Sequence, residues 1–493
     1  MNYTVQKSQY DSEDIVVNNY SFAPSDHREI CFNKWGLSFV ELKTFVKKEF
    51  AGEQIDVSLY IKQKTPYKLI TIKNMEGLIL EEQHGGEFIY KNIYENSSKK
   101  LQKGAFLVSR NASLAKISYI YNDLNGILNG GISSIFIENE VERFYVMSFF
   151  ISSYAKNLLE LITSSGGTQQ NIKRETLLSL EIPTVKEENV KKILSFITHN
   201  IIDKEQQIKE KNQQIDSLIK KELEIHSHTE LNTPFSSEIQ NNSYRFDSGL
   251  YSPEYKGIKE SIEFYEGGYF NLLSKYNAKR GQNLQVSNIG LSIYSEERKN
   301  NFYRLVTNVE LTEDRTISTF RYLGNKNKLT LIPKNSIMLS ADGSVGRCIY
   351  IDDLGNTITN IHPWILISKE KNTPAYKNIY VAMFLGYLRS VGYYEKIQDK
   401  SNGGGIKLPH LENWIKIPEF PDELQKEIAS KYYNKVESNK ELTLDTYLEK
   451  EKERNNLLGI WQLNMELFTL KEQVEELVRK IVYSEEINIS DYL

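Results

Sequence analysis

The chain has 493 residues and a formal net charge of −4, with 40% hydrophobic and 26% charged residues. That length suits two or three domains, each able to bury a core, and the balance is that of soluble globular chains. No apolar run approaches the roughly 18 residues of a membrane span, the opening MNYTVQKSQYDSED lacks a signal peptide's apolar region, and two cysteines, Cys31 and Cys348, are too few for a disulfide framework; a reducing cytoplasm is expected.

Taken in chain order, residues 1 to about 30 are polar and weakly patterned. From Glu29 to about Pro183, short runs rich in Ile, Val, Tyr and Phe (FLVSR, KISYIY, SSIFIEN) alternate with Gly, Asn and Ser clusters, which predicts strands, followed by a helix over Arg143–Leu161. Glu187–Glu224 carries Leu194, Ile201, Ile208 and Ile215 at seven-residue intervals, with Ile197 and Leu218 beside them and Lys204 and Lys211 interrupting. This heptad seam predicts a helical rod of roughly 55 Å. The strand pattern then returns in YRLVTNVEL, LTLIPKNSIMLS, GRCIYIDD and PWILIS, with a helix over Ala375–Gly392. A second long helical region starts at Pro421-Asp422-Glu423, a favourable helix start, and Gly459 marks a bend or break in it. We expect residues 1–185 and 229–420 to form two domains, 186–228 a first long helix, and 421–493 a second helical region with an acidic tail.

The order is a duplication. Leu101–Ile137 has the hydrophobic and glycine rhythm of Ile332–Ile367, and each copy leads to a glycine cluster and an apolar-Pro stop before a charged helix. Ser109, Gly166 and Pro183 recur as Ser340, Gly403 and Pro418, 231, 237 and 235 residues later. A period this long is a repeated domain and not a solenoid unit, whose repeats run roughly 20–50 residues. Acid is concentrated after Pro421, where 16 Asp/Glu face 10 Lys/Arg, leaving the preceding chain at net +2. Local cations can therefore bind phosphate despite the negative total.

These features resemble the specificity subunits of Type I restriction-modification systems. The resemblance runs from about Lys34 to Ile481 and rests on the doubled domain-plus-helix order, the strand turns Lys103-Gly104 to Arg110 and Lys334 to Ala341, and the blocks GGTQQNIKRETLLSLEIP and NGGGIKLPHLENWIKIP. It implies an α/β (α+β) fold with two sheet-rich target recognition domains, their long helices pairing as an antiparallel coiled-coil spacer. It implies a non-catalytic cytoplasmic subunit that binds double-stranded DNA at a bipartite asymmetric site and docks two methyltransferase subunits and, optionally, restriction subunits. S-adenosylmethionine would belong to the methyltransferase partner, ATP and Mg to the restriction partner, and no cofactor to this chain.

A DNA reader needs cations for phosphates and amide or guanidinium groups for base edges. In the first copy the candidates are Lys91, Lys99, Lys100, Lys103 and Arg110, then Gly166, Gly167, Thr168, Gln169, Gln170, Asn171, Lys173 and Arg174. In the second they are Arg321, Lys326, Lys328, Lys334, Arg347, Lys400, Asn402, Gly403, Gly404 and Lys407. The seam residues Leu194, Ile201, Ile208 and Ile215 are the expected helix-pairing positions. The copies differ where reading would occur: Ser109-Arg110-Asn111 against Ser340-Ala341-Asp342, and Thr168-Gln169 against Gly405-Ile406. Different half-sites are implied.

Catalytic patterns are weak by comparison. The strings nearest an amine-binding Asn/Asp-Pro-Pro-aromatic loop, Thr65-Pro66-Tyr67 and Ile361-His362-Pro363-Trp364, each have one Pro and no Asn or Asp immediately before it. Asp342-Gly343-Ser344-Val345-Gly346 reads better as a β-turn than as a cofactor loop. His226 and His228 form a lone pair without further metal ligands, and there is no GKS/GKT phosphate loop. The alternatives are a fused methyltransferase or nuclease with diverged motifs, and a coiled-coil scaffold that binds protein.

Overall fold

The computed structural model describes residues 4–6, 28–30, 38–61, 63–80, 87–111, 116–162, 172–227, 248–398, 404–439 and 441–493. The chain divides into two compact units. The first comprises Met1–Gln206 with Glu437–Asn456 and Glu466–Leu493; the second comprises Gln207–Val436 with Leu457–Met465. This cut differs from four consecutive segments, because each unit takes part of the helical regions.

In the first unit, β1 (Thr4–Gln6) pairs antiparallel with β2 (Arg28–Ile30). The strands β3 (Ser38–Glu41), β4 (Lys48–Ala51), β5 (Tyr60–Ile61), β6 (Lys68–Ile70), β7 (Glu87–Ile89), β8 (Phe106–Ser109), β9 (Ile117–Tyr119), β10 (Gly126–Leu128), β11 (Ile132–Phe136) and β12 (Glu181–Thr184) follow. They form an antiparallel sheet in the order β4-β11-β8-β9, a second sheet β10-β6-β7-β5 and the pair β12-β3. β8 is buried along its whole length. Leu107 packs with Phe50, Ile70, Met75 and Ile132, while Phe106 meets Phe150 of the helix Glu140–Ile151 with ring centroids 5.7 Å apart. A strand covered on both faces loses the apolar/polar alternation of a half-exposed one.

The second unit contains β13 (Tyr269–Asn271), β14 (Tyr276–Arg280), β15 (Ser292–Ser295), β16 (Tyr303–Leu305), β17 (Arg321–Asn325), β18 (Ser336–Ser340), β19 (Cys348–Ile351), β20 (Thr357–Ile358), β21 (Pro363–Ser368) and β22 (Lys416–Pro418). Its sheets are β14-β21-β18-β19, β15-β17-β16-β20 and β13-β22. Apart from the β1-β2 pair this is the first unit's topology strand for strand, down to the single parallel pairing of strands in each, β10 with β6 and β20 with β16. The helix Ala375–Ser390 packs on β18 and β19.

Several elements are shorter than the patterns predict. The helix expected over Arg143–Leu161 is two, Glu140–Ile151 and Ser153–Ile162, because Ser152 turns extended and its hydroxyl caps Phe149 O. YRLVTNVEL is a strand only over Tyr303–Leu305; beyond it, Glu310 turns back to accept the Thr307 N–H and hydroxyl, both at 2.7 Å. LTLIPKNSIMLS is a strand only over Ser336–Ser340, since Pro333 has no N–H and Asn335 sits at φ 57°. The second helical region is three segments, Asp422–Tyr432, Tyr447–Leu457 and Ile460–Val482. The expected break at Gly459 has a steric cause: a Cβ there would strike the backbone of Tyr432 and Asn434.

The first long helix spans Glu188–His226. Leu194, Ile197 and Ile201 are buried in the first unit, and Ile208, Ile215, Ile219 and Leu223 in the second. Leu218, expected on the seam, is only half-buried. A helix of 3.6 residues per turn drifts off a seven-residue repeat, so the buried stripe passes to Ile219 and Leu223. Lys204 is not a gap in the stripe. The Lys204 ammonium, 1% exposed, bonds Asn455 Oδ1 at 2.6 Å and Glu466 Oε2 at 2.7 Å. Along Tyr447–Leu457 the partners rise together with this helix: Phe196 stacks on Tyr447, Asn200 meets Glu451, and Asp203 and Lys204 meet Asn455.

Candidate nucleic-acid interface

In both units the strand turn after the central serine meets the chain returning from the glycine block. In the first, Ile172 N–H donates to Arg110 O at 2.9 Å; in the second, Ile406 N–H donates to Ala341 O at 2.8 Å. The frame is shared and the side chains on it differ.

On the first frame, Arg110 N–H donates to Gly131 O at 2.8 Å and its guanidinium to Gly130 O at 2.6 Å. Burial pushes the guanidinium's pKa down and the nearby Glu49 carboxylate pushes it up, with a net lowering. Arg174 is ion-paired to Glu49, whose side chain is 3% exposed. Arg174 pairs with this buried carboxylate, and Arg110 feels its charge. Lys173 stands at the N-terminal boundary of the short helix Arg174–Leu178, without a side-chain capping bond, and is exposed. Lys103 is exposed at the turn before β8. The Lys99 ammonium lies 5.7 Å from the Phe50 ring centre, and Lys100 lies 5.1 Å from that of Tyr94 while donating to Glu95 O at 3.0 Å. Lys91 pairs with Glu95 at 3.4 Å. Gly166, Gly167, Thr168, Gln169, Gln170 and Asn171 lie outside the described residues.

The second frame presents a cluster that the sequence pattern does not assemble. The Asp342 carboxylate lies 3.2 Å from His362 Nδ1 and 3.6 Å from Arg280, whose guanidinium stacks 3.8 Å over the Trp364 ring. Trp364 Nε1 donates to Ile406 O at 2.8 Å, and Asp342 forms a bridge with Gly405. Burial lowers the Arg280 pKa, opposed by Asp342. These groups come from separate strands and a turn. Only the string Ile361-His362-Pro363-Trp364 hints at them. Asp342–Gly346 is indeed a turn, with Val345 N–H to Gly343 O and Gly346 N–H to Ser340 O, both 2.9 Å.

The remaining second-copy candidates separate by what holds them. Arg347 donates to Glu313 Oε1 at 2.9 Å and Leu311 O at 2.7 Å, and Arg389 reaches the same carboxylate at 2.7 Å. Burial pushes the Glu313 carboxyl up, but the hydrogen bonds and charges of Arg389 and Arg347 prevail and hold it at about 2. Arg321 is held at 2.8 Å by Glu310. Lys334 lies 3.9 Å from Asp353, and Lys407 N–H bonds His410 Nδ1. Lys326 and Lys328 are exposed and form no ion pair among the described residues. Gly404 adopts φ 58°; Lys400, Asn402 and Gly403 lie outside the described residues. His226 pairs with Glu266 at 3.2 Å, and His228 lies outside the described residues.

Residues 283–444, which include β15 to β22, match the family model of the Type I restriction modification DNA specificity domain. Over those residues the second copy is similar to that specificity domain. No curated protein matches the chain. Among solved structures it is similar to a Type I restriction-modification S subunit from M. genitalium, at 14% identity over 90% of this chain and 96% of that one, with a TM-score of 0.35. A structure described in terms of complex assembly and conformational transition of the type I R-M system aligns at 13% identity over 92% and 98%, TM-score 0.28. The HsdS subunit from Thermoanaerobacter tengcongensis aligns at 13% over 92% and 94%, TM-score 0.26. Among the described residues, no helix is long and apolar enough to cross a membrane.

Proposed function

We propose that this chain is the specificity subunit of a cytoplasmic Type I restriction-modification complex, in which each unit reads one half of a bipartite, asymmetric DNA site. The supporting observation is the repeated topology: one copy carries the DNA specificity match, and the other has the same strand order with different side chains on the shared turn. Arg110 on one frame and Asp342 with His362 and Arg280 on the other present different donors and acceptors to a groove. Asp and Glu carboxylates accept from cytosine N4, whereas Arg donates to guanine O6 and N7. The helical regions dock two methyltransferase subunits and set the gap between half-sites. S-adenosylmethionine chemistry belongs to those partners, and ATP with Mg to a restriction partner.

The test is a chimera in which residues 30–183 are replaced by the equivalent part of a relative, assembled with its methyltransferase and mapped for methylated sites. One half-site should change while the other half and the orientation stay. A continuous site, or a swap that alters both halves, overturns the two-reader model.

A further inference from the structure

Along the edge strand β15 of the second unit's sheet β15-β17-β16-β20 and in the turn and short helix leading into it, Leu291 is 86% exposed, Ile293 64%, Val286 60% and Tyr294 57%. Apolar side chains left in water along an unpaired edge strand invite association, and chains ordinarily blunt such edges with charge or Pro. Leu291 is also rigidly mounted. Gly290 takes φ 76° to turn the chain from the short helix Val286–Ile289 into β15. The Asn325 amide donates to Ile289 O at 3.0 Å and to Ser292 Oγ at 2.8 Å, and the Asn327 amide donates to Ile289 O at 3.0 Å. Those two asparagines belong to the turn that carries Lys326 and Lys328.

From this arrangement we infer that Leu291 is an apolar wedge that enters the DNA duplex between base pairs, with Lys326 and Lys328 on the flanking phosphates. The inference rests on the DNA-reading function above and names the element by which the second unit deforms its half-site. Proteins that kink DNA press an aliphatic or aromatic side chain into a base step and recover the unstacking cost through phosphate contacts that the bend permits. Both parts are present here. The prong is fixed before binding, so little order is lost on insertion. Two exposed cations without ion pairs among the described residues flank it, which favours a polyanionic duplex over an apolar protein surface. The first unit repeats the placement: Val57, 72% exposed, and Leu59, 41%, lie in the short helix leading into β5, the equivalent edge strand.

The test uses the full chain with a pool of duplex oligonucleotides randomised at the centre, sequencing the bound fraction. The wild type should enrich sites with a fixed pyrimidine–purine step, the step most easily unstacked. Leu291→Ala should bind those sites roughly tenfold more weakly and lose that step preference while keeping the other read bases; Leu291→Met should retain both. Lys326→Ala with Lys328→Ala should weaken all sequences alike and lower the salt slope by about 1.8, about 0.9 per phosphate. Because Leu291 is so exposed, its Ala variant should melt as the wild type does. Unchanged affinity and step preference in Leu291→Ala overturn the wedge while the DNA-reading function stands. So does normal DNA binding with impaired methyltransferase assembly, which would make the edge a protein contact. Failure of the wild type to enrich any duplex overturns both.

Discussion

The phenol of Tyr145 donates to the carbonyl of Pro183 at 2.8 Å, and 235 residues later Tyr380 donates to Pro418 at the same distance. Both phenols are buried, and burial raises both pKa values, so each remains a donor throughout the ordinary pH range. The bond ties the helix packed on each main sheet to the last strand before each helical region.

Tyr145→Phe and Tyr380→Phe each remove the donor and leave a buried carbonyl unsatisfied, which costs about 1–3 kcal/mol. Denaturant unfolding of the full chain should show a loss of that order for each, and the two losses should add because the sites share no partner. A loss in one variant and none in the other would mean that the two copies do not use the bond alike.

This duplication was legible because serine, glycine and proline positions repeat at nearly constant offsets, and those residue types mark turns whatever surrounds them. The buried stripe of the first long helix was legible from the spacing of Leu194, Ile201, Ile208 and Ile215, all four of which are buried. Side-chain commitments were not. Arg347 and Lys326 look alike in sequence, yet one is held against Glu313 and the other is exposed, and the difference depends on partners far along the chain. The Arg280, Asp342 and His362 cluster was missed because its members become neighbours only when β14, β18 and β21 pair. The break between Tyr432 and Tyr447 carried no strong stop signal, since Val436 and Leu444 continued the apolar spacing.

Glu313 links Arg347 and Arg389 to acid stability. Its carboxyl is held at about 2 against an ordinary 4.5, so the folded state holds that proton less tightly than the unfolded state. The stabilisation is complete above about pH 5 and is lost as pH falls towards 2, a contribution of about 3 kcal/mol. Arg347→Ala should start about 2 kcal/mol less stable at neutral pH, through the lost charge and the orphaned Leu311 carbonyl, and should then lose less between pH 5 and 2. Equal acid slopes in wild type and variant would show that Arg347 does not set this carboxyl.

Lys204 is the most deeply buried of the charged residues described in the first long helix. Burial lowers its pKa, opposed by Glu466 and Glu451, and Arg454 shares the Glu466 carboxylate. Lys204→Met leaves Asn455 Oδ1 without its donor and part of a buried anion uncompensated, at a cost of about 3 kcal/mol or more. Adding Glu466→Gln should recover part of that loss if the charge is the cause. A double variant no more stable than Lys204→Met would assign the cost to packing instead.

The salt dependence of DNA binding tests the cations before β8. Lys103 is exposed, and Lys99 and Lys100 are positioned by the Phe50 and Tyr94 rings and not by ion pairs among the described residues. Ring contacts leave the ammonium charge uncancelled, so all three remain able to displace counterions from phosphate. Replacing all three with Ala should weaken binding to every duplex by a similar factor and flatten the log–log salt slope by about 0.9 for each phosphate no longer neutralised, or about 2.7 for the set. Bases read by the first unit should be unchanged, because phosphate contacts fix register without carrying sequence. A slope unchanged from the wild type would place this edge away from the duplex. A change in the bases read, with the slope intact, would make these lysines readers of sequence.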